Sequence, residues 1–226
     1  MRMGAEMVIL GLTGSIAMGK STAAAMLRRL GVPVCDSDAV VHRLLAQGGA
    51  AVPSIRHAFD GVVRGGAVDH GALGKQVFDD PKALKRLESI LHPLVFDAQT
   101  RFLKQAAARR ESLVVLDVPL LFEGNTDARC DAVIVVSAPE FLQAARALGR
   151  PGMDRARLDS IVTLQMPDAE KRRRADFVVA TGNGRRHTLR RLRRIVTMLR
   201  GRRGARWPPP ARPRPALLTD GRISEA

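Results

Sequence analysis

Gly14-Ser15-Ile16-Ala17-Met18-Gly19-Lys20-Ser21 decides the fold of this chain. The stretch fits G-x-x-x-x-G-K-[ST], in which glycines let a loop turn its N–H groups inward around phosphate oxygens. It stands between an apolar run, Met7 to Thr13, and a helical pattern, Lys20 to Leu30, stopped by Gly31. A strand before and a helix after are the context the motif requires, because the helix offers its positive end to the anion. In that reading Lys20 reaches the β- and γ-phosphates of a nucleotide and the Ser21 hydroxyl coordinates Mg²⁺. The competing reading is an ordinary glycine turn.

Working outward, Val32 to Cys35 is a second short strand and Val40 to Leu45 begins a helix. Residues 50–68 are loop-rich, with a weak helical pattern over Val52 to Phe59. Asp69 is placed to cap a helix over Ala72 to Phe78. Asp80-Pro81 opens a long helical stretch to about Arg110, which Pro93 is expected to break or kink. Leu113 to Val118, Ala132 to Val136 and Phe177 to Ala180 are further apolar strands, and Pro139 to Leu148, Arg155 to Met166 and Arg185 to Leu199 are helices. Five short strands alternating with helices predict an α/β fold, a doubly wound parallel sheet covered on both faces. After Gly201 the sequence is rich in Arg and Pro without periodicity, and residues 202–226 are expected to be disordered.

The net charge of +15 is unevenly placed. Residues 185–226 carry 13 Arg, no Lys and two acids, which leaves only +4 for residues 1–184. The body is therefore mildly basic, as suits an enzyme for polyanionic substrates. Cys35 and Cys130 have no metal-type spacing and read as small buried apolar groups in a reducing cytoplasm. No apolar run is long enough to cross a bilayer. The N-terminal run carries Glu6 beside it and ends in the phosphate motif rather than a cleavage site, unlike a signal peptide.

In an open parallel sheet, ligands sit beyond the carboxyl ends of the strands. Asp36-Ser37-Asp38 follows the second strand and so shares a rim with the phosphate loop. Asp38 is read as the carboxylate that orients a substrate hydroxyl toward the γ-phosphorus. Asp36 is read as the cap of the helix that follows. Asp117 ends the third strand, the position of a second Mg²⁺-associated carboxylate. No D-x-x-G or N-K-x-D motif is present, which argues against a switch GTPase.

Five segments now stand in order: GLTGSIAMGKST, LGVPVCDSDAVVHRLL, FDDPKALKRLESILHPLV, DVPLLFE and QMPDAEKRRRADFVV. From about Val8 to Leu199 the chain resembles the dephospho-coenzyme A kinase family. That resemblance implies transfer of phosphate from ATP to the ribose 3′-hydroxyl of dephospho-coenzyme A, with Mg²⁺, by a monomer or small homo-oligomer. It implies a P-loop kinase domain over residues 1–201, an acceptor subdomain at about 50–110 and a lid at about 146–167. Gly14 and Ala17 to Thr22 would then touch ATP, Asp38 would be the base, and Ser21 and Asp117 would serve the metal. His92 and Pro93 would belong to the acceptor pocket, and Arg146 and Arg150 would clamp the transferring phosphate. Arg146 as a solvated helix residue and His92 as a structural partner stay open at this point. So do Glu123 as half of an ion pair and Lys171 to Arg174 as a solvated helix end.

The chain departs from the family at Ala17, where glycine is usual, and in a lid helix poorer in Arg. A nucleoside or nucleotide kinase using the same loop is one alternative. A nucleic-acid module driven by the Arg-rich C-terminus is another, although such contact would be electrostatic and non-specific. No membrane partner is expected.

Overall fold

The computed structural model describes residues 7–77 and 80–208. Strands β1 (Val8–Thr13), β2 (Val34–Asp36), β5 (Leu113–Asp117), β6 (Ala132–Ser137) and β7 (Phe177–Ala180) form one sheet in the order β2-β5-β1-β6-β7. Every pairing in it is parallel. Alternation along the strands sends Ile9, Val114, Leu116, Val133 and Val135 to one face, and Val8, Leu10, Leu12, Val115 and Ile134 to the other. Both faces are apolar because both are covered.

Helices α1 (Lys20–Arg29) and α9 (Arg185–Arg200) cover the second face with Met26, Leu27, Leu192, Ile195 and Leu199. The first face is covered by α2 (Ser37–Leu45), α3 (Val52–Ala58), α4 (His70–Val77) and α5 (Pro81–Ala108). The first strand is central, so the chain winds outward from it in both directions. Its carboxyl end is thus the switch point where such sheets hold ligands.

Five expectations need correction. The segment Val34–Asp36 pairs as a strand, later than Val32, with Val34 opposite Val115 of β5. Pro93 does not break α5, which runs unbroken from Pro81 to Ala108. Pro93 and Ser89, whose carbonyl loses its helical donor, are both exposed, and Leu87, Leu91, Leu94, Val95 and Leu103 hold both halves of the helix against one core. The loop-rich stretch 50–68 contains a small antiparallel pair, β3 (Val63–Arg64) and β4 (Ala67–Val68), turned by Gly65 and Gly66 at positive φ. Strands of two residues are too short to show an alternation. Lys171 is not a solvated helix end. It lies on α8 (Asp168–Arg174), fully buried.

Residues 202–208 also follow the body. The Asp131 carboxylate accepts from Ile9 N at 2.7 Å, Ala205 N at 2.6 Å and Arg206 N at 3.0 Å. It ties this segment to the start of β1. Residues 209–226 and Phe78 lie outside the described residues. Cys35 and Cys130 are buried and free. Burial pushes their thiols up, to about 11 and about 12.

Candidate active site

The phosphate loop leaves β1 between β6 and β5. At Gly14 a Cβ would lie 2.5 Å from Val136 Cγ2 and 2.7 Å from the Val136 carbonyl oxygen, so only glycine passes. Gly19 closes the loop at φ 91° and caps α1 without a side chain. The first-turn N–H groups of α1 are thereby left for an external acceptor. Met18 anchors the far side, its carbonyl accepting from Thr181 Oγ1 at 2.7 Å.

Ala17 has φ 60°. A residue with a Cβ pays about 1 kcal/mol there, which is why glycine is the common choice.

The loop floors a cavity of about 490 Å³, with Asp38, Arg146, Arg150, Gln165, Thr181 and Arg185 among its other walls. Lys20 and Asp38 face this same space. Lys20 Nζ donates to Asp117 Oδ1 at 2.7 Å and lies 3.6 Å from Asp38 Oδ2. Asp117 is 1% exposed, whereas the Asp38 side chain is 69% exposed. One carboxylate is thus a buried seat for the ammonium and the other is open to an incoming group. Burial pushes the Asp117 carboxyl above the ordinary aspartate value, and the Lys20 ammonium opposes that push.

Asp36 does what its position predicts: its Oδ1 accepts from Ala39 N at 3.0 Å and caps α2. Behind it, Ser37 Oγ accepts from Gln99 Nε2 at 3.0 Å, and Gln99 Oε1 accepts from Arg129 Nη1 at 2.6 Å. The Arg129 guanidinium lies 3.9 Å from the centre of the Phe96 ring. This chain of contacts holds the first turn of α2, and with it Asp38, against α5.

The lid segment is α6 (Glu140–Leu148) followed by α7 (Arg155–Thr163). Arg146 lines the cavity, and its guanidinium donates to Thr181 Oγ1 at 3.1 Å and the Thr181 carbonyl at 2.9 Å. Arg150 also lines the cavity and has no protein acceptor among the described residues. His92 and Pro93 are exposed on α5 and do not line this space. Thr181, Gln165 and Arg185 were not selected from sequence. The QMPDAEKRRRADFVV segment and the lid expected at about 146–167 both pointed near Gln165.

Glu123 pairs with a cation, and that cation is Lys171. Its Oε1 lies 2.9 Å from Lys171 Nζ and accepts from Met166 N at 2.9 Å. Burial pushes the Glu123 carboxyl up, but the bonds from Lys171 and Met166 prevail and hold it below the ordinary value. The pair fastens the base of the lid to the loop after β5. Lys171→Met should cost about 3 kcal/mol by leaving Glu123 unpaired. The readout is the urea midpoint, and an unchanged midpoint would show that the pair contributes nothing.

The family profile described as Dephospho-CoA kinase matches residues 8–186. The chain belongs to the dephospho-CoA kinase family. A dephospho-CoA kinase of Paramagnetospirillum magneticum is 63% identical over 199 residues, covering 88% of this chain and 94% of that protein. One from Rhodospirillum rubrum is 53% identical, over 88% and 97% of the two chains. A crystal structure of a Thermus thermophilus protein superposes with TM-score 0.74 at 36% identity, over 85% of this chain and 97% of that one. The dephospho-CoA kinase of Campylobacter jejuni, 22% identical, shares the fold at TM-score 0.57, over 86% and 98%.

Proposed function

We propose that this chain transfers the γ-phosphoryl group of ATP to the ribose 3′-hydroxyl of dephospho-coenzyme A, giving coenzyme A and ADP. This is the last step of coenzyme A biosynthesis. Family membership supports the reaction. The observation that carries the assignment of roles is the pairing of Lys20 with Asp38, 3.6 Å apart on one cavity wall.

The phosphate-loop amides and the α1 N-terminus receive the polyphosphate, and Lys20 stabilises charge on its β- and γ-oxygens. Asp117 keeps the Lys20 ammonium aimed at that position. Asp38 accepts the hydrogen bond of the acceptor hydroxyl and takes its proton as the oxygen bonds to phosphorus and the bond to the ADP oxygen breaks. Phosphoryl transfer has a loose transition state, so orienting the nucleophile matters more than strong basicity.

Mg²⁺ fits the donors present. It favours oxygen, keeps waters and phosphate oxygens as ligands, and needs only one or two protein groups. The Ser21 hydroxyl on the cavity wall would be one such group, and Asp117, buried beside Lys20, would act on the ion through its bound water. When bound, the ion neutralises charge on the β- and γ-phosphates.

Arg150, with no protein acceptor among the described residues, is the lid cation best placed to swing onto the transferring group. Arg146 instead braces the lid against Thr181. His92 and Pro93 would meet the acceptor only if it extends beyond the cavity along α5. Among the described residues no helix is long and apolar enough to cross a membrane, and a cytoplasmic location is part of the proposal.

The test is ADP release measured with dephospho-coenzyme A, nucleosides and nucleoside monophosphates as competing acceptors. The expected result is a kcat/KM for dephospho-coenzyme A at least about 10²-fold above the others, the scale a built acceptor site provides. The reverse preference would overturn the assignment.

A further inference from the structure

We infer that Gln143 and Gln165 are positioning residues: two lid glutamines that set the peptide groups of the phosphate loop and so aim the Ala17 N–H at the nucleotide. The inference rests on the kinase reading of the cavity but not on which alcohol is phosphorylated.

Ile16 is held on both sides. Its N–H donates to Gln165 Oε1 at 3.0 Å, and its carbonyl accepts from Gln143 Nε2 at 3.0 Å. Gln143 is a buried residue of α6, and Gln165 follows α7. The two amides work in opposite senses. A peptide N–H needs an acceptor and a carbonyl needs a donor, so the partners dictate which end of each glutamine faces the loop. No other uncharged side chain of this length offers both ends.

The consequence for the nucleotide follows from peptide geometry. A trans peptide is planar, with its C=O and N–H pointing in opposite directions. Holding the Ile16 carbonyl on Gln143 therefore turns the next N–H, that of Ala17, away from α6. Ala17 lines the cavity, and its N–H has no protein acceptor among the described residues. A phosphate oxygen is the acceptor this donor awaits.

Ala17 itself adds the third contact. Its φ of 60° is a conformation that a side chain resists. The methyl is buried with Ala147 of α6 and Leu158 of α7, and Ile16, Ala144 and Met153 pack around them. The methyl thus fills a small apolar nest in the lid. Two polar bonds and one apolar contact, all from the α6–α7 segment and its end, converge on two adjacent loop residues. Displacing the lid would release the Ile16 peptide and let Ala17 relax, so nucleotide affinity and lid position are coupled.

The experiment compares the full chain with Gln143→Met and Gln165→Met, which keep an unbranched side chain of similar length and lose the amide. ADP affinity is measured by calorimetry, KM for each substrate by ADP release, loop order by amide exchange over residues 14–20, and stability by the urea midpoint. Each variant should weaken ADP binding and raise the ATP KM about tenfold, the scale of one well-placed hydrogen bond whose partner is left orphaned. Exchange at the Ile16 amide should accelerate in Gln165→Met, while the acceptor KM stays within about twofold. The double variant should lose less than the product of the single losses, because both act on one loop segment. Unchanged ADP affinity in both variants would overturn the inference. So would ADP affinity and acceptor KM worsening together in step with a falling urea midpoint, the mark of a merely structural role. Failure of the acceptor assignment shows instead in the acceptor competition, with ADP binding still sensitive to both glutamines.

Discussion

Lys20→Ala should lower kcat/KM by about 10³-fold, the scale of removing a preorganised charge from a transition state. The ammonium stands on the cavity wall beside the phosphate loop, 2.7 Å from Asp117 and 3.6 Å from Asp38. Among the described residues no other Lys lines this cavity, whose remaining cations are Arg146, Arg150 and Arg185. The same substitution has a second, separable effect. Asp117 is 1% exposed and would lose its cation. Burial already pushes its carboxyl above the ordinary 3.8, and Lys20 is the main group pulling it down. Without Lys20 the folded-state value climbs further. A carboxyl raised in the folded state costs nothing below its unfolded value, and the cost grows as pH rises toward the folded value. The variant should therefore be less stable than the parent at pH 7, and the gap should close as pH falls toward about 4. Urea midpoints across that range read the effect. Turnover within tenfold of the parent, or a gap indifferent to pH, would contradict this account of the pair.

Asp38→Asn should lower kcat by about 10²-fold or more while ADP affinity stays near that of the parent, as expected for a positioned proton acceptor. Asparagine keeps the shape of the side chain, so the acceptor can still dock, but it cannot take the hydroxyl proton. The neighbouring acid is the control. Asp36 caps α2 through Ala39 N. Asp36→Asn keeps a capping oxygen and should change stability by well under about 1 kcal/mol, with kcat little altered. Near-normal turnover in Asp38→Asn would move the base elsewhere.

Much of the site was legible before any fold was known, because its chemistry is local. The loop, its lysine and its serine occupy eight consecutive residues between a strand and a helix. Asp38 was legible because a short apolar run ended just before it, and strand ends share one rim in a parallel sheet. The helix cap at Asp36 was legible for the same reason. Helix α5 was legible as an element but not in its continuity. Whether Pro93 breaks a helix depends on how firmly the two halves are held, and that is a property of the core they share.

Arg185 and Thr181 were not legible: each reaches the cavity across a long stretch of sequence, and nothing in its neighbours marks it. Gln143 and Gln165 lay in quoted or lid segments, but their contacts with the phosphate loop were not legible, because each spans more than a hundred residues. The same is true of Lys171, which sits among three arginines and reads as solvent-facing. Only Glu123, placed opposite it by the loop after β5, turns it into a buried partner.

By itself the sequence determined most of the elements and the place of the phosphate loop, since period, punctuation and glycine placement act over a few neighbours. The three-dimensional arrangement decided which arginine is free to move, what orders the loop, and that Ala17 sits at positive φ. Those outcomes depend on groups brought together from distant positions, and packing, not local preference, chooses among them.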